Sequence, residues 1–440
     1  MINLILLFIL EVVLFLIAFL ITDRDILSPS CTMCAMFIVS TIFAILNVDN
    51  WNINFSFEAL LILTSGIGVF VVVEAFCIVL CGKRKTMQCA NGTSFQTTEV
   101  RNWIVISLII FNIVIALWYY REIRVIVGNT PSIGLLFSTY RNLGVSRLEG
   151  RASESVSGII NQFLKITKAT GYIGAFIAIS NAISGNKRKR KQNILLIFMC
   201  VTSLLPIVMI ASRGGILMYL SNILIIFYIL WHQKYGWNRN LSWKIIRLGI
   251  LGIIIGMPLF YYSAFLVGRK HTYGIIEYVS TYIGGSIALF DQYVQNPIPR
   301  TGFGEESLIN FNKILNIFGF GISSTSYNLE SRNLGALRSN VYTFFRRPLH
   351  DFGLGGMYLF TILVAIFFCW MYYKKIKYKD RSFKVDCWVL IYGYLYYWIL
   401  ASSILQYSMS YISIGCLLTI IIIILLYSGI TRIRLKFGRH

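Results

Sequence analysis

Apolar runs of bilayer length recur along this chain, and they constrain its fold more than any other feature. "INLILLFILEVVLFLIAFLI" (2–21) and "YISIGCLLTIIIIILLYSGI" (411–430) stand near its two ends. A run of about 18 or more apolar residues is long enough to cross the hydrocarbon as a helix. Lipid offers no hydrogen bonds, so the backbone there must form helices or a closed barrel. A barrel would read as short alternating segments, and none occur. Charged residues make up 13% of the chain, against about 25% in soluble domains, and mean hydropathy is +0.69. The expected fold is an all-α polytopic membrane protein of one domain over 1–440.

Eleven spans are expected, at 3–22, 31–48, 58–81, 102–120, 158–184, 193–211, 214–232, 245–267, 353–373, 385–403 and 411–430. The net charge of +22 lies in short clusters between these runs. That is the pattern of cytoplasmic loops and anionic-lipid contacts, not of a nucleic-acid surface. "KRK" (83–85), "KRKRK" (187–191), "KKIKYKDRSFK" (374–384) and the tail "RIRLKFGRH" then share one side, the cytoplasm. The N-terminus is expected outside and the C-terminus inside. Residues 1–21 lack a basic leader and an A-x-A site, so they read as a retained span. Cys31 and Cys34 form a CxxC with no second pair, which argues against a metal or redox centre.

Two large outer loops result, 121–157 and 268–352. Within the second, "GIIEYVSTYIGGSIALF" (274–290) is expected as a surface or partly embedded helix. Counting it as a span would move the 374–384 cluster outside. Leu308, Phe311, Leu315 and Phe318 share one side of an expected amphipathic helix, lying on the membrane or capping a cavity.

Three polar features interrupt the apolar pattern. "SRGG" places Arg213 in a tight outer hairpin between two spans. A mid-membrane arginine costs about 2.5–3.5 kcal/mol, so an interfacial place suits it, either anchoring to headgroups or facing a phosphate in its two-pronged geometry. Asn161, Lys165, Lys168 and Tyr172, spaced four, three and four, form a stripe on one helical face. "NVYTFFRRPLHDFGLGG" (340–356) gathers Arg346, Arg347, His350 and Asp351 among Tyr342, Phe344, Phe345 and Phe352, where the long loop re-enters the membrane.

Those features resemble the bacterial oligosaccharide repeat-unit polymerases (Wzy-type, building O-antigen, capsule and related glycans), which are related to the O-antigen ligases. "SRGG" resembles their arginine hairpin and "NVYTFFRRPLHDFGLGG" the segment closing their long outer loop. The layout of many spans with one large loop before the last few also matches. Asn340 has no adjacent histidine, unlike the ligase pattern, and the polymerases' arginine repeats are absent. The resemblance implies a metal-independent glycosyltransferase without cofactor. It would pass a growing glycan from undecaprenyl diphosphate to the next lipid-linked unit, on the outer face of the bacterial cytoplasmic membrane.

Arg213, Arg346 and Arg347 would stabilise the leaving diphosphate, with Lys165 and Lys168 assisting. Asp351, His350, Glu305 and His271 are the candidate bases for the sugar hydroxyl. Asn161, Tyr172, Arg269, Tyr282 and Asn340 are further substrate contacts, and Tyr282 and Phe303 could stack on sugars. A chain-length regulator and a flippase are implied partners; nucleic acid is not. "TDRD" (22–25) resembles the acidic motif of metal-dependent GT-C glycosyltransferases, but its expected place is cytoplasmic. Alternatives are a ligase-like transferase, a flippase or exporter of the same lipid-linked units, and a non-catalytic scaffold or chain-length regulator.

Overall fold

A computed structural model describes residues 1–81, 98, 100–148, 155–185, 190–210, 213–237, 274–321 and 329–432, with isolated positions at 243, 247, 251, 258 and 261–262. Arg269, His271, residues 83–85, 187–189 and 433–440, and most of the span expected at 245–267 lie outside the described residues.

The fold is all-α. Helices α1 (Ile2–Ile21), α2 (Pro29–Ile45), α3 (Phe57–Cys81), α4 (Asn102–Val127), α5 (Ile133–Leu148), α6 (Gly158–Ser184), α7 (Arg190–Met209) and α8 (Arg213–Tyr235) come first. Short helices α9 (Ile275–Ile283), α10 (Gly285–Gln295) and α11 (Ile309–Ile317) follow, then the antiparallel hairpin β1 (Arg332–Leu334) and β2 (Leu337–Ser339). The last part holds α12 (Arg346–Cys369), a π-helix (Trp370–Ile376), α13 (Phe383–Leu395), α14 (Tyr397–Leu400), α15 (Ser408–Tyr411) and α16 (Ile414–Arg432). Seven of the described helices are long and apolar enough to cross a membrane. They match the spans expected first, third, fourth, sixth, seventh, ninth and eleventh. The second is α2, with only 17 residues. The fifth is α6, whose lysines lower its hydropathy. The tenth is broken between α13 and α14 at Tyr396.

The chain divides into two compact units. The first comprises Met1–Lys85, Asn240–Lys377 and Tyr396–Ile414. Here α1, α2 and α3 pack together and α12 lies along α3. Helix α2 starts where Pro29 follows the N-cap Ser28, whose hydroxyl accepts the Cys31 N–H, a standard start signal. The stretch 274–290, expected as one surface or partly embedded helix, is two helices. It forms α9 and α10, broken near Gly284 and packed on α2. A Cβ on Gly284 would lie 2.6 Å from the Ala44 nitrogen and the Phe43 carbonyl carbon, so glycine is required for that approach. Helix α11 buries Ile309 and Asn312 and leaves Phe311 and Phe318 exposed, so its apolar row faces away from the unit.

Helix α12 and the π-helix together run 31 residues, Arg346–Ile376. That is about 45 Å at 1.5 Å per residue, longer than the roughly 30 Å hydrocarbon core. Arg346 and the Lys374–Lys375 pair therefore occupy opposite ends of one spanning element. Gly353, at φ 68°, separates a short first segment carrying "RRPLHD" from the rest.

The second unit comprises Thr86–Arg239, Tyr378–Leu395 and Gly415–His440. Helix α6 packs on α7 and α8, α4 on α7, and α13 on α8. Arg381 ties its elements together: it reaches Asp386 at 3.1 Å, Ser180 at 2.6 Å and Thr98 at 3.0 Å. Tyr427 donates to Asp386 at 2.7 Å.

Candidate functional site

The short segment Arg346–Phe352 sets two i, i+4 pairs side by side, Arg346 with His350 and Arg347 with Asp351. Neighbouring backbone holds it in place. The Phe344 N–H donates to Ser402 O at 2.7 Å, and Gln406 Nε2 donates to Phe344 O at 2.9 Å. Its polar side chains all face the loop stretch Arg300–Ser307, which turns at Gly304 with φ 62°.

Arg346 is fully buried. Its Nη1 lies 2.9 Å from Glu306 and its Nη2 2.8 Å from Glu330. The guanidinium sits over the Tyr293 ring at 3.7 Å and near Tyr342 at 5.4 Å, both within cation–π range. Arg347 donates to the Glu306 carbonyl at 3.0 Å. Asp351 is a clamp: its carboxylate accepts the backbone N–H of Glu306 at 3.1 Å and of Ser307 at 2.6 Å. Exposed Arg300 donates to the Asp351 carbonyl at 2.9 Å.

His350 lies between two partners. Its Nε2 is 2.7 Å from Glu305 and its Nδ1 3.2 Å from the Tyr293 hydroxyl. A carboxylate only accepts, so Nε2 carries the proton toward Glu305. Thr301 donates to Glu305 through its backbone N–H at 3.0 Å and through its hydroxyl. Burial acts to raise the Glu305 pKa, but the bonds from Thr301 and His350 outweigh it and hold the group below its ordinary value. Glu306 is opposite: burial dominates, and its pKa is raised despite Arg346, His350 and Arg347.

Glu305, His350 and Asp351 offer ligand atoms within 4.8 Å of one another, a metal-capable trio that the sequence reading did not anticipate. Both His350 nitrogens and both Asp351 oxygens are already engaged, and Arg346 and Arg347 stand close by. A cation would have to break those contacts, so the arrangement fits a charge-paired clasp better than a metal centre.

The remaining candidates fall in different places. Tyr282, on α9, receives the Tyr278 hydroxyl at 3.3 Å. Asn340 is exposed after the hairpin, and Phe303 is exposed against Phe352, ring centroids 5.0 Å apart. Arg213, Lys165, Lys168, Asn161 and Tyr172 belong to the second unit. Arg213 is the first residue of α8 and half-buried; a cation gains nothing from the positive end of a helix dipole. Ser212 lies outside the described residues. The stripe divides: Asn161 is exposed, Lys165 donates to Gln162 at 2.8 Å, Lys168 lies 4.8 Å over the Tyr394 ring, and Tyr172 is buried between Tyr219 and Tyr394.

Sequence reasoning missed Arg300, Thr301, Glu306, Glu330 and Tyr293. The signal available was "GEES" (304–307), two adjacent acids in a chain with 18 acids against 40 Lys and Arg. It also missed Glu11 and Glu74, buried inside α1 and α3. Thr41 donates to Glu11 at 3.1 Å; Glu74 accepts from the Ser30 N–H and the Tyr373 hydroxyl, both at 2.6 Å. Asp25 of "TDRD" is ion-paired with Lys377 at 2.6 Å and receives Tyr372 at 2.8 Å, which leaves little of it for a metal.

These features define a multi-pass helical membrane protein with a buried, charge-balanced clasp between a hydrophilic loop and the start of a span. No protein family, curated protein or solved structure matches the chain.

Proposed function

We propose that the chain is a glycosyltransferase that polymerises undecaprenyl diphosphate-linked oligosaccharides on the outer face of the bacterial cytoplasmic membrane. The observation that carries this reading is the His350–Glu305 contact at 2.7 Å, held on the loop at the end of α12 opposite the lysine run. An imidazole whose Nε2–H is held by a carboxylate can take the proton of a sugar hydroxyl at Nδ1, where that hydroxyl displaces the Tyr293 contact. The acceptor oxygen then bonds to the anomeric carbon of the growing chain, and the bond from that carbon to the diphosphate oxygen breaks. The diphosphate leaves as an anion, and exposed Arg300 is the cation of the cluster placed to meet it. Arg346 and Arg347, already paired, hold the loop in register. Asp351, clamped by two backbone N–H groups, is a positioning residue in this scheme rather than the base. With the lysine run cytoplasmic, the loop faces outward and the N-terminus is outside.

The test is reconstitution of the purified chain in vesicles with a synthetic lipid-linked repeat unit. A ladder of products with released lipid diphosphate is expected, lost in His350→Ala. No ladder from the wild-type chain, or an equal ladder from the variant, overturns the reading. A second reading, a flippase or exporter of the same lipid-linked unit, is favoured by one observation: Glu11 and Glu74 lie buried within spans, where transporters place coupling acids. Transbilayer movement without elongation in the same vesicles would establish it instead.

A further inference from the structure

The first unit holds a cleft of about 690 Å³, separate from the clasp. Asn47, Asn50 and Trp51, after α2, form one wall; Gly274–Glu277, at the start of α9, form a second; Leu334 and Ala336 of the β-hairpin form the third. Its size falls within the roughly 300–1,000 Å³ of small-molecule sites. The walls are braced. Gly335, at φ 58°, lies so close to Asn50 that a Cβ would stand 2.4 Å from its carbonyl oxygen. Gln292 donates to Asn333 O at 3.0 Å, and Arg332 donates to Asn296 O at 2.6 Å.

No lysine or arginine is among the described lining residues, so these offer a phosphate no cation. The lining carries two carboxamides, one carboxylate and an indole. Asn50 Nδ2 donates to Asn47 Oδ1 at 3.4 Å. The Glu277 carboxylate has no hydrogen-bond or ion-pair partner among the described residues and is half-buried. Trp51 is only 5% exposed, yet its indole N–H makes no hydrogen bond among the described residues. Neither group is among the fully buried polar atoms left without a partner, so both stay accessible to a ligand entering the cleft. Carboxamides and a carboxylate satisfy vicinal hydroxyls as donors and acceptors, while an indole and Leu334 suit the C–H face of a sugar ring.

We infer that this cleft is a saccharide subsite, taking an uncharged stretch of the acceptor glycan. Its place supports the assignment. Trp51 and Leu334 pack in one cluster with Tyr293 and Tyr342, the rings that flank Arg346. The same cluster reaches the clasp through Tyr293, whose hydroxyl contacts His350. The name "acceptor" rests on the polymerase reading; the sugar chemistry of the cleft does not.

The test uses the full-length purified chain and, as probe, the oligosaccharide released by mild acid from the host's own lipid-linked pool. Binding is measured by calorimetry, with saturation-transfer NMR reporting contact. The wild-type chain binds, and Glu277→Gln, with unchanged melting temperature, weakens binding about tenfold or more. Asn50→Ala, at an exposed position, weakens it in the same direction without touching the core. Inorganic pyrophosphate does not compete. Absence of binding, full binding by both variants, or competition by pyrophosphate overturns the inference. A failed product ladder with intact, Glu277-dependent binding removes the polymerase reading alone. A normal ladder with Glu277-independent binding removes the cleft alone.

Discussion

Lys377 and Asp25 meet at 2.6 Å although 352 residues separate them in sequence, and both are buried. The pair joins the turn after α1 to the residue that ends the π-helix. That turn places Asp23 and Arg24 at positive φ, a conformation most side chains avoid. A π-helix in a span is also a departure from regular geometry. The buried ion pair holds two irregular segments together.

Removing one member of this pair leaves an uncompensated buried charge. Asp25→Ala and Lys377→Ala are each expected to cost about 3–5 kcal/mol, while Asp25→Leu with Lys377→Met recovers most of it. A double-mutant cycle from unfolding of the detergent-solubilised chain measures this. Single variants as stable as wild type would contradict the burial.

The clasp predicts a split between stability and turnover. Arg346→Met strands Glu306 and Glu330 and is expected to cost about 3–5 kcal/mol. Arg300→Ala removes an exposed side chain, so the melting temperature should hold. Elongation should fall about 100-fold or more if Arg300 meets the leaving diphosphate. Thermal unfolding and the vesicle assay, run on both variants, read the two effects separately. An Arg300→Ala chain with full elongation would remove that residue from the chemistry.

Acidity should act on the clasp from two directions. Glu305 is held below the ordinary glutamate value of 4.5: burial opposes ionisation, and the bonds from Thr301 and His350 prevail. Its contribution is present above 4.5 and is lost as pH falls through its lowered pKa. Glu306, faced by Arg346, Arg347, His350 and Asp351, is raised by burial. Its contribution is fully present below 4.5 and is lost as pH rises through the raised value. The wild-type minus Glu305→Gln difference in melting temperature should shrink toward acid. The wild-type minus Glu306→Gln difference should move against the wild type toward alkali. Parallel curves for wild type and both variants would show that neither carboxylate titrates as the clasp requires.

Much of this architecture was legible because lipid enforces local rules. Apolar length marks a span whatever its neighbours do, so the seven long helices lie where expected. Helix α2 and the broken α13–α14 segment obey packing instead. "RRPLHD" stood out by its charge, yet its partners Glu305 and Glu306 lie 40 to 45 residues upstream. No periodicity reports a contact across such a loop. The same blindness hid the Lys377–Asp25 pair, the contact that occupies Asp25 of "TDRD". The expected polar stripe divides for a different reason. Its spacing was right, but Tyr172 turned inward to two other tyrosines, because a phenol packs as well as it hydrogen-bonds.

That division makes the two lysines of α6 separable. Lys165 lies two turns into the helix and, among the described residues, is bonded only to the exposed Gln162, three residues away. Its loss as Lys165→Met should leave both fold and polymer nearly unchanged. Lys168 sits over Tyr394 at 4.8 Å with no carboxylate partner among the described residues. A cation–π contact of this kind contributes about 0.5–2 kcal/mol, a modest return for holding a half-buried ammonium on a helix face. A residue kept there against its own cost is best explained by a ligand anion that completes it. Lys168→Met should therefore raise or preserve the melting temperature while shortening the polymer made in cells, at equal protein level. Full-length polymer from Lys168→Met, or equal defects from both lysine variants, would return the stripe to a purely structural role.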